Sequence, residues 1–290
     1  MDRKKVTKAV IPAAGLGTRM LPIAMGTPKE MLPIVDKPAM QYLVEEAVNA
    51  GITDILIITG RGKETIEDYF DFNLDYEKRL SDTGKTKELE RIREIAKLAN
   101  IFFIRQKEAK GLGHAVNCAR QFVGNEPFAV LYGDDVIVSK TPAIKQLIDV
   151  YEEHGLGVAG VKYVTEEQVQ KYCSLKVEPI KDNVFRVYDM IEKPSKDKIF
   201  SLLSILGRVV LPPEIFDILD ETPKGAGGEI QLTDAMRTLT LQQGMMACEF
   251  EGTRYDIGSK LGFLIANVEQ GLLHPETSDE FRKFLKGLEL

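Results

Sequence analysis

The chain has 290 residues, 44% of them hydrophobic and 28% charged, with a formal net charge of −6. Such a chain can bury a large core and reads as a single soluble domain over 1–290. The acidic balance and the lack of a long basic block exclude an extended nucleic-acid interface. No stretch reaches the roughly 18 apolar residues of a membrane span, so no membrane partner is expected. Cys118, Cys173 and Cys248 are too scattered for a zinc ribbon or a disulfide framework. Met1 to Lys8 is charged and lacks the apolar segment of a leader, which predicts a cytoplasmic protein.

Ala9 to Ala13 is a short apolar run with β-branched residues, predicting a buried first strand. Gly15 and Gly17 follow directly, in Gly15-Leu16-Gly17-Thr18-Arg19. Glycines there allow a sharp turn and close approach of a ligand, and successive N–H groups form an anion-binding concavity. Arg19 and Lys29 add two cations suited to an extended polyanion such as a triphosphate. The dinucleotide fingerprint is the competing reading. It is disfavoured because Met20 stands at its third glycine and Pro22 and Pro28 forbid the uninterrupted helix it needs.

Beyond the loop, helical spacing over Met40–Ala50 ends at Gly51, Ile52–Thr59 reads as a strand buried on both faces, and Lys63–Phe72 is helical again. This alternation predicts a parallel sheet wound with helices. A charged segment at about 75–100 carries one narrow apolar face, predicting a helical insertion that is either a solvated surface or a packing face for another subunit. Ile101–Arg105 is the next strand, Leu112–Phe122 the next helix, and Pro127–Tyr132 a strand running into Gly133-Asp134-Asp135. Thr141–His154 reads as a helix.

From Gly155 the pattern loosens into strands of a mixed or antiparallel region: Val158–Val164, Leu175–Ile180, Val184–Ile191 and Ser204–Leu211. Helices are predicted over Pro212–Leu219 and Glu229–Gln243, and a strand over Met245–Glu251. A C-terminal helical tail is predicted from about 259 to 290. Ligands of open α/β sheets bind at the carboxyl ends of strands. Three segments end there: the Gly15 loop, the Gln106–Gly113 loop and Gly133–Asp135.

Gly133-Asp134-Asp135 can offer a hard oxygen ligand to Mg²⁺, which takes one or two carboxylates plus substrate phosphates. Neighbours on an extended segment point to opposite sides, so only one of the two aspartates should face such an ion. The alternative is a pair that merely makes a turn. No Ser–His–Asp or Cys–His arrangement is evident. None is needed for chemistry at a phosphorus centre, which rests on positioning and charge neutralisation, because a phosphate monoester is already mostly dianionic near neutral pH and is itself a nucleophile. His114 reads as structural or as lining the nucleotide loop.

The Gly15–Arg19 stretch, followed by Pro28-Lys29-Glu30-Met31-Leu32-Pro33, resembles the signature of sugar-1-phosphate nucleotidyltransferases, most of all their bacterial uridylyl-transferring, UDP-glucose-forming members. The resemblance runs from about Lys8 to about Leu272. It implies an α/β fold with a Rossmann-like mixed, mainly parallel sheet flanked by helices, of the glycosyltransferase-A type. It also implies Mg²⁺-dependent transfer of a uridylyl group from UTP to glucose 1-phosphate, giving UDP-glucose and pyrophosphate, in a homodimer or homotetramer.

On this resemblance, Arg19 and the backbone of Gly15, Gly17 and Thr18 hold the β and γ phosphates, and Lys29 neutralises the α-phosphate. Gln106 with the backbone of Ala14 and Gly111 reads uracil, and Asp134 and Asp256 hold the metal. Lys193 grips the sugar phosphate, Glu192 accepts from sugar hydroxyls, and Glu229 lies by the sugar. Within the residues alone, Glu192-Lys193-Pro194 could equally be a strand ending at a proline, and Glu229 a favourable charge at a helix N-terminus. Three positions depart from the family pattern: Cys173 where a glycine touches the sugar, Leu202 where an asparagine stands, and Met25 in place of a lysine. The first two make glucose less secure than UTP. They leave open another sugar 1-phosphate, or a weakly active regulatory paralog.

Overall fold

The computed structural model describes residues 4–289, so Met1–Arg3 of the charged start and Leu290 of the tail lie outside the described residues. β1 (Lys8–Pro12) is followed by three single 3-10 turns and the two-residue strands β2 (Pro33–Ile34) and β3 (Lys37–Pro38). Pro22 and Pro28 break this stretch as expected. Next come α1 (Ala39–Asn49), β4 (Asp54–Thr59), α2 (Glu64–Phe70), α3 (Leu74–Asp82), α4 (Thr86–Ile95) and β5 (Asn100–Arg105). The middle of the chain forms α5 (Leu112–Asn117), α6 (Arg120–Val123), β6 (Phe128–Leu131), β7 (Asp135–Val138), α7 (Ala143–His154), β8 (Gly157–Tyr163) and α8 (Glu166–Val169). The remainder is β9 (Cys173–Lys181), β10 (Val184–Glu192), β11 (Leu203–Leu211), α9 (Ile215–Glu221), α10 (Leu232–Gln242), β12 (Met245–Glu249), β13 (Thr253–Asp256), α11 (Lys260–Gly271) and α12 (Ser278–Lys286).

A nine-stranded sheet in the order β5-β4-β1-β6-β11-β8-β12-β10-β9 forms the centre. The β5-β4-β1-β6 half is parallel throughout. β11 pairs antiparallel with β6 and β8, and β10 antiparallel with β12 and β9, so these two strands run against the others. The alternation of side chains along each strand feeds two apolar layers. Ala9, Ile11, Ile55 and Ile57 pack on one face with Leu43 of α1, Leu147 of α7 and Ala266 of α11. Val10, Leu56 and Ile58 pack on the other with Val116 of α5, Phe216 of α9 and Met236 of α10.

One charged pair sits inside the first layer. Arg208 of β11 is fully buried and donates from Nε to Glu46 Oε1 at 2.9 Å and from Nη2 to Oε2 at 2.6 Å. Glu46 Oε1 also accepts from the Ile144 N–H at 2.9 Å. The pair ties α1 to β11 and to the first turn of α7, and its lone pairs and protons are met, which an interior ion pair requires.

Several expectations shift. The 75–100 segment folds as two helices, because Gly84 adopts φ 67° between α3 and α4. The 112–122 helix is divided into α5 and α6. The helix placed from Glu229 starts at Leu232, since Glu229 is extended. β7 was not anticipated. It pairs antiparallel with β13, setting Asp256 opposite Asp135.

Candidate active site

The carboxyl ends of β1, β5 and β6 open onto one cavity of about 480 Å³, lined by Ala14 to Thr18, Lys29, Gln106, Gly111, Tyr132 to Asp134 and Glu229. Gly17 takes φ 67°, a left-handed turn, and a Cβ there would sit 3.2 Å from Ala24 Cβ and 3.5 Å from Lys29 Cδ. Gly111 is required twice over: its φ is 106°, and a Cβ there would sit 2.7 Å from both Glu229 Cβ and the Ile230 carbonyl oxygen. The bond from Ile230 N–H to the Lys110 carbonyl, 2.8 Å, holds the two loops together.

The two aspartates after Gly133 diverge as alternation predicts. Asp134 turns to the cavity side. Its Oδ2 accepts from Lys29 Nζ at 2.6 Å and from Arg19 Nη2 at 3.4 Å. Asp135 is buried and pairs with Arg254, whose Nε lies 2.6 Å from Oδ1 and whose Nη1 reaches the Tyr172 hydroxyl at 3.3 Å. Asp256 accepts from Arg19 Nη1 at 3.2 Å, and the Ile257 N–H bonds the Asp134 carbonyl at 3.0 Å. A Cβ added at Gly258 would meet Arg19 Nη2 at 2.7 Å, Asp134 Oδ2 at 2.8 Å and Asp256 Oδ1 at 3.1 Å, so the two carboxylates and the guanidinium that bridges them close on one spot that a side chain would block.

Burial alone would raise the Asp134 carboxyl. The charge and hydrogen bond of Lys29, then the charge of Arg19, outweigh it and hold the group below its ordinary value. Burial would likewise lower Lys29, and Asp134 with Glu30 reverses that. Beneath Lys29, the Lys63 ammonium donates to both oxygens of the buried Glu30 at 2.9 and 2.8 Å. This pair fixes the short turn that carries Lys29.

Among the described residues no three His, Cys, Asp or Glu side chains gather to hold a metal. Asp134 and Asp256 stand as a pair of hard oxygen donors, which is the donor set of an ion completed by water and phosphate.

Gln106 is buried at the end of β5. Its Nε2 lies 3.2 Å from the Gly111 carbonyl and 2.8 Å from His114 Nδ1. Both amide protons are therefore engaged within the protein, which the sequence reading of Gln106 as a reader of uracil did not foresee.

The model of the family described as "Nucleotidyl transferase" matches residues 8–270. The chain belongs to the nucleotidyl transferase family. It is similar to the UTP–glucose-1-phosphate uridylyltransferases of Staphylococcus epidermidis, 52% identical over 99% of this chain and 100% of that one, and of Bacillus subtilis, 51% identical over 98% of each. A crystal structure of UDP-glucose pyrophosphorylase complexed with UDP-glucose superposes with a TM-score of 0.86 at 41% identity, covering 93% of this chain and 100% of that one. The UTP-bound UGPase from Acinetobacter baumannii gives 0.89 at 36% identity, covering 98% and 100%. The expected fold, a mixed and mainly parallel sheet flanked by helices, is that of these relatives.

This nucleotidyl transferase carries its other predicted site residues on the antiparallel half of the sheet. Glu192 ends β10 opposite Cys173 of β9. Burial raises the Glu192 carboxyl, opposed by a hydrogen bond from Thr233 and the charge of Lys193. Lys193 has φ 45°, in the left-handed region and just before Pro194, a conformation that costs of order 1–3 kcal/mol. Its N–H bonds the Tyr172 carbonyl at 2.7 Å, and its half-exposed Nζ lies 3.8 Å from Glu192.

Cys173 and Leu202 are not among the residues lining the cavity. The Cys173 thiol is buried and accepts from the Ile205 N–H at 3.3 Å, while Leu202 is partly exposed and its carbonyl accepts from the Val164 N–H. Met25 is exposed. Residues that sequence reasoning missed are Glu30, Lys63, Asp135, Arg254, Tyr132 and Thr233. Only the Asp134–Asp135 alternation signalled one of them.

Proposed function

We propose that this chain transfers a uridylyl group from UTP to glucose 1-phosphate, giving UDP-glucose and pyrophosphate, with Mg²⁺ at Asp134 and Asp256. The observation that carries this reading is the meeting of the Gly15–Thr18 turn, Gln106 and the Lys29–Asp134 pair in one cavity, in a chain about half identical to uridylyltransferases over nearly its full length.

The Gly15 to Thr18 backbone and Arg19 bind the β and γ phosphates. Lys29 sits at the α-phosphate, where charge grows in the transition state. Lys193 holds the sugar phosphate and Glu192 accepts from sugar hydroxyls. Ala14, Gln106 and Gly111 read the base, and Glu229, which packs against Gly111, lies by the sugar. A phosphate oxygen of the sugar 1-phosphate forms a bond to the α-phosphorus. The bond from that phosphorus to the bridging oxygen breaks, and pyrophosphate leaves with the electron pair. No proton transfer is needed, consistent with a cavity whose charged groups are paired rather than poised as bases. A bound divalent ion would neutralise phosphate charge there.

The enzyme is further proposed to be a single cytoplasmic domain working as a homodimer or homotetramer. Three free cysteines and the exposed Leu261, Leu264, Val268 and Phe284 of α11 and α12 support that reading, as does the absence, among the described residues, of a helix long and apolar enough to cross a membrane. Cys173 and Leu202 favour two alternatives, a different sugar 1-phosphate and a weakly active paralog. Pyrophosphate release with each nucleoside triphosphate against a panel of sugar 1-phosphates decides. UTP with glucose 1-phosphate should give the highest rate. A faster rate with another pair would replace the substrate, and none with any pair would leave the paralog.

A further inference from the structure

Gln106 and His114 face each other across the turn between β5 and α5. The Gly111 carbonyl oxygen can only accept, so the amide nitrogen of Gln106, at 3.2 Å, must face it rather than the amide oxygen. The second amide proton then points to His114 Nδ1 at 2.8 Å, which must accept it. His114 is therefore neutral and carries its proton on Nε2. With both donors engaged, Oε1 is the polar atom of Gln106 left to read a base in the cavity that Gln106 lines.

We infer that His114 is a specificity-positioning residue: by accepting from Gln106 it holds the amide oxygen toward the base, so the cavity selects uracil over cytosine. The inference rests on the uridylyl reading above. The uracil ring N3 bears a proton and donates to Oε1, whereas the N3 of cytosine bears a lone pair and repels it. A site whose polar group meets no partner discriminates strongly.

A proton on Nδ1 would set two donors against each other. The amide relieves this by turning over, which gives up the Gly111 bond and aims Nε2 at the base, where it suits cytosine. Uracil preference should therefore fade in acid.

Burial, then the charge of Lys110, lowers the His114 pKa, with Glu108 opposing. On the elements packed against α5, Asp217 and Asp220 of α9 bind Arg120, and Lys8 of β1 binds the Phe122 carbonyl and Glu126. Glu221 ends α9. On α10, Arg237 binds Asp189, and Asp234 faces Gly225. None of these is among the charges that shift His114. The neutral imidazole thus prevails near pH 7, and the change falls below its ordinary value of about 6.5.

Calorimetric affinities for UTP and CTP, taken from about pH 8 to about pH 5, test this. The ratio of the two cancels titration of the phosphates, which both nucleotides share. Cytosine N3 itself gains a proton toward the acid end, and His114→Gln, whose side chain does not titrate, measures that contribution. In the wild type the ratio should fall by about tenfold or more toward acid, beyond the fall in His114→Gln. His114→Leu should show a low ratio at every pH, and His114→Gln, which keeps an acceptor, a high one. A purely structural role would move both affinities together. A flat wild-type ratio, a wild-type ratio in His114→Leu, or a ratio in His114→Gln that falls as far as that of the wild type overturns the inference. If His114→Leu fails to fold, the wild-type and Gln series still decide. UDP-glucose formation at pH 8 tests the parent reading separately. Turnover with a flat ratio refutes only the role of His114, and a titrating ratio without turnover refutes only the transferase.

Discussion

Lys29 Nζ lies 2.6 Å from Asp134 Oδ2, so the cation assigned to the α-phosphate and a carboxylate assigned to the metal share one hydrogen bond. Arg19 bridges the same Asp134 to Asp256. Phosphates and a divalent ion must compete with these internal bonds. Binding is then an exchange of partners rather than the burial of new unpaired charge, which spares the desolvation cost of a lone buried ion.

Asp134→Ala and Asp256→Ala should each lower turnover by at least roughly a hundredfold while a cooperative unfolding transition remains. Activity and unfolding curves measured side by side check this. Wild-type turnover in either variant removes that residue from the metal pair.

The depressed Asp134 carboxyl has a consequence for acid stability. Its ionised form is favoured in the folded protein, so its contribution is complete above the unfolded value of 3.8 and is lost as pH falls through the lower folded value. The difference in unfolding free energy between wild type and Asp134→Asn should be constant above that value and shrink below it. Denaturant titrations over that range give the result, and a difference that grows in acid would contradict the pairing.

Lys63→Met should cost about 3–5 kcal/mol, because it leaves the Glu30 carboxylate buried without its partner. The double change with Glu30→Gln should recover much of that loss. Activity should fall more than occupancy explains, since the same pair supports Lys29. Equal stability of the single and double variants would show that the two side chains do not depend on one another.

Cys173→Gly combined with Leu202→Asn should tighten the Michaelis constant for glucose 1-phosphate by about tenfold to a hundredfold and barely change that for UTP. An unmet hydroxyl costs roughly 1–3 kcal/mol. Removing the buried thiol also takes an acceptor from the Ile205 N–H, so some loss of stability should accompany the gain. A looser sugar constant in the double variant would mean the sugar lies elsewhere.

Much of the parallel half was legible because its signals are local. The Ala9–Ala13 and Ile52–Thr59 runs are buried on both faces, and Gly15, Gly17 and the prolines announce a turn that cannot be helix. That Asp134 and Asp135 face opposite ways followed from alternation, and the resemblance named Asp134 as the one toward the ion. What escaped was set by distant partners. β7 becomes a strand by pairing with β13, over a hundred residues later. The Glu30–Lys63 pair joins two segments whose charges look ordinary in the sequence. The orientation of the Gln106 amide depends on a carbonyl and an imidazole that no spacing rule connects to it.

The sheet changes direction between β6 and β11, with the residues proposed to hold the triphosphate on one side of that seam and Glu192, Lys193, Cys173 and Leu202 on the other. Substitutions on the far side need not disturb the hydrogen bonds of the near side, because Lys29, Arg19, Asp134 and Asp256 bond one another and none of those four far-side residues. A lineage with this architecture can therefore drift in which sugar it accepts while its nucleotide handling stays under unrelaxed selection. Cys173 and Leu202 beside an intact Lys29 and Asp134 fit that pattern of uneven divergence.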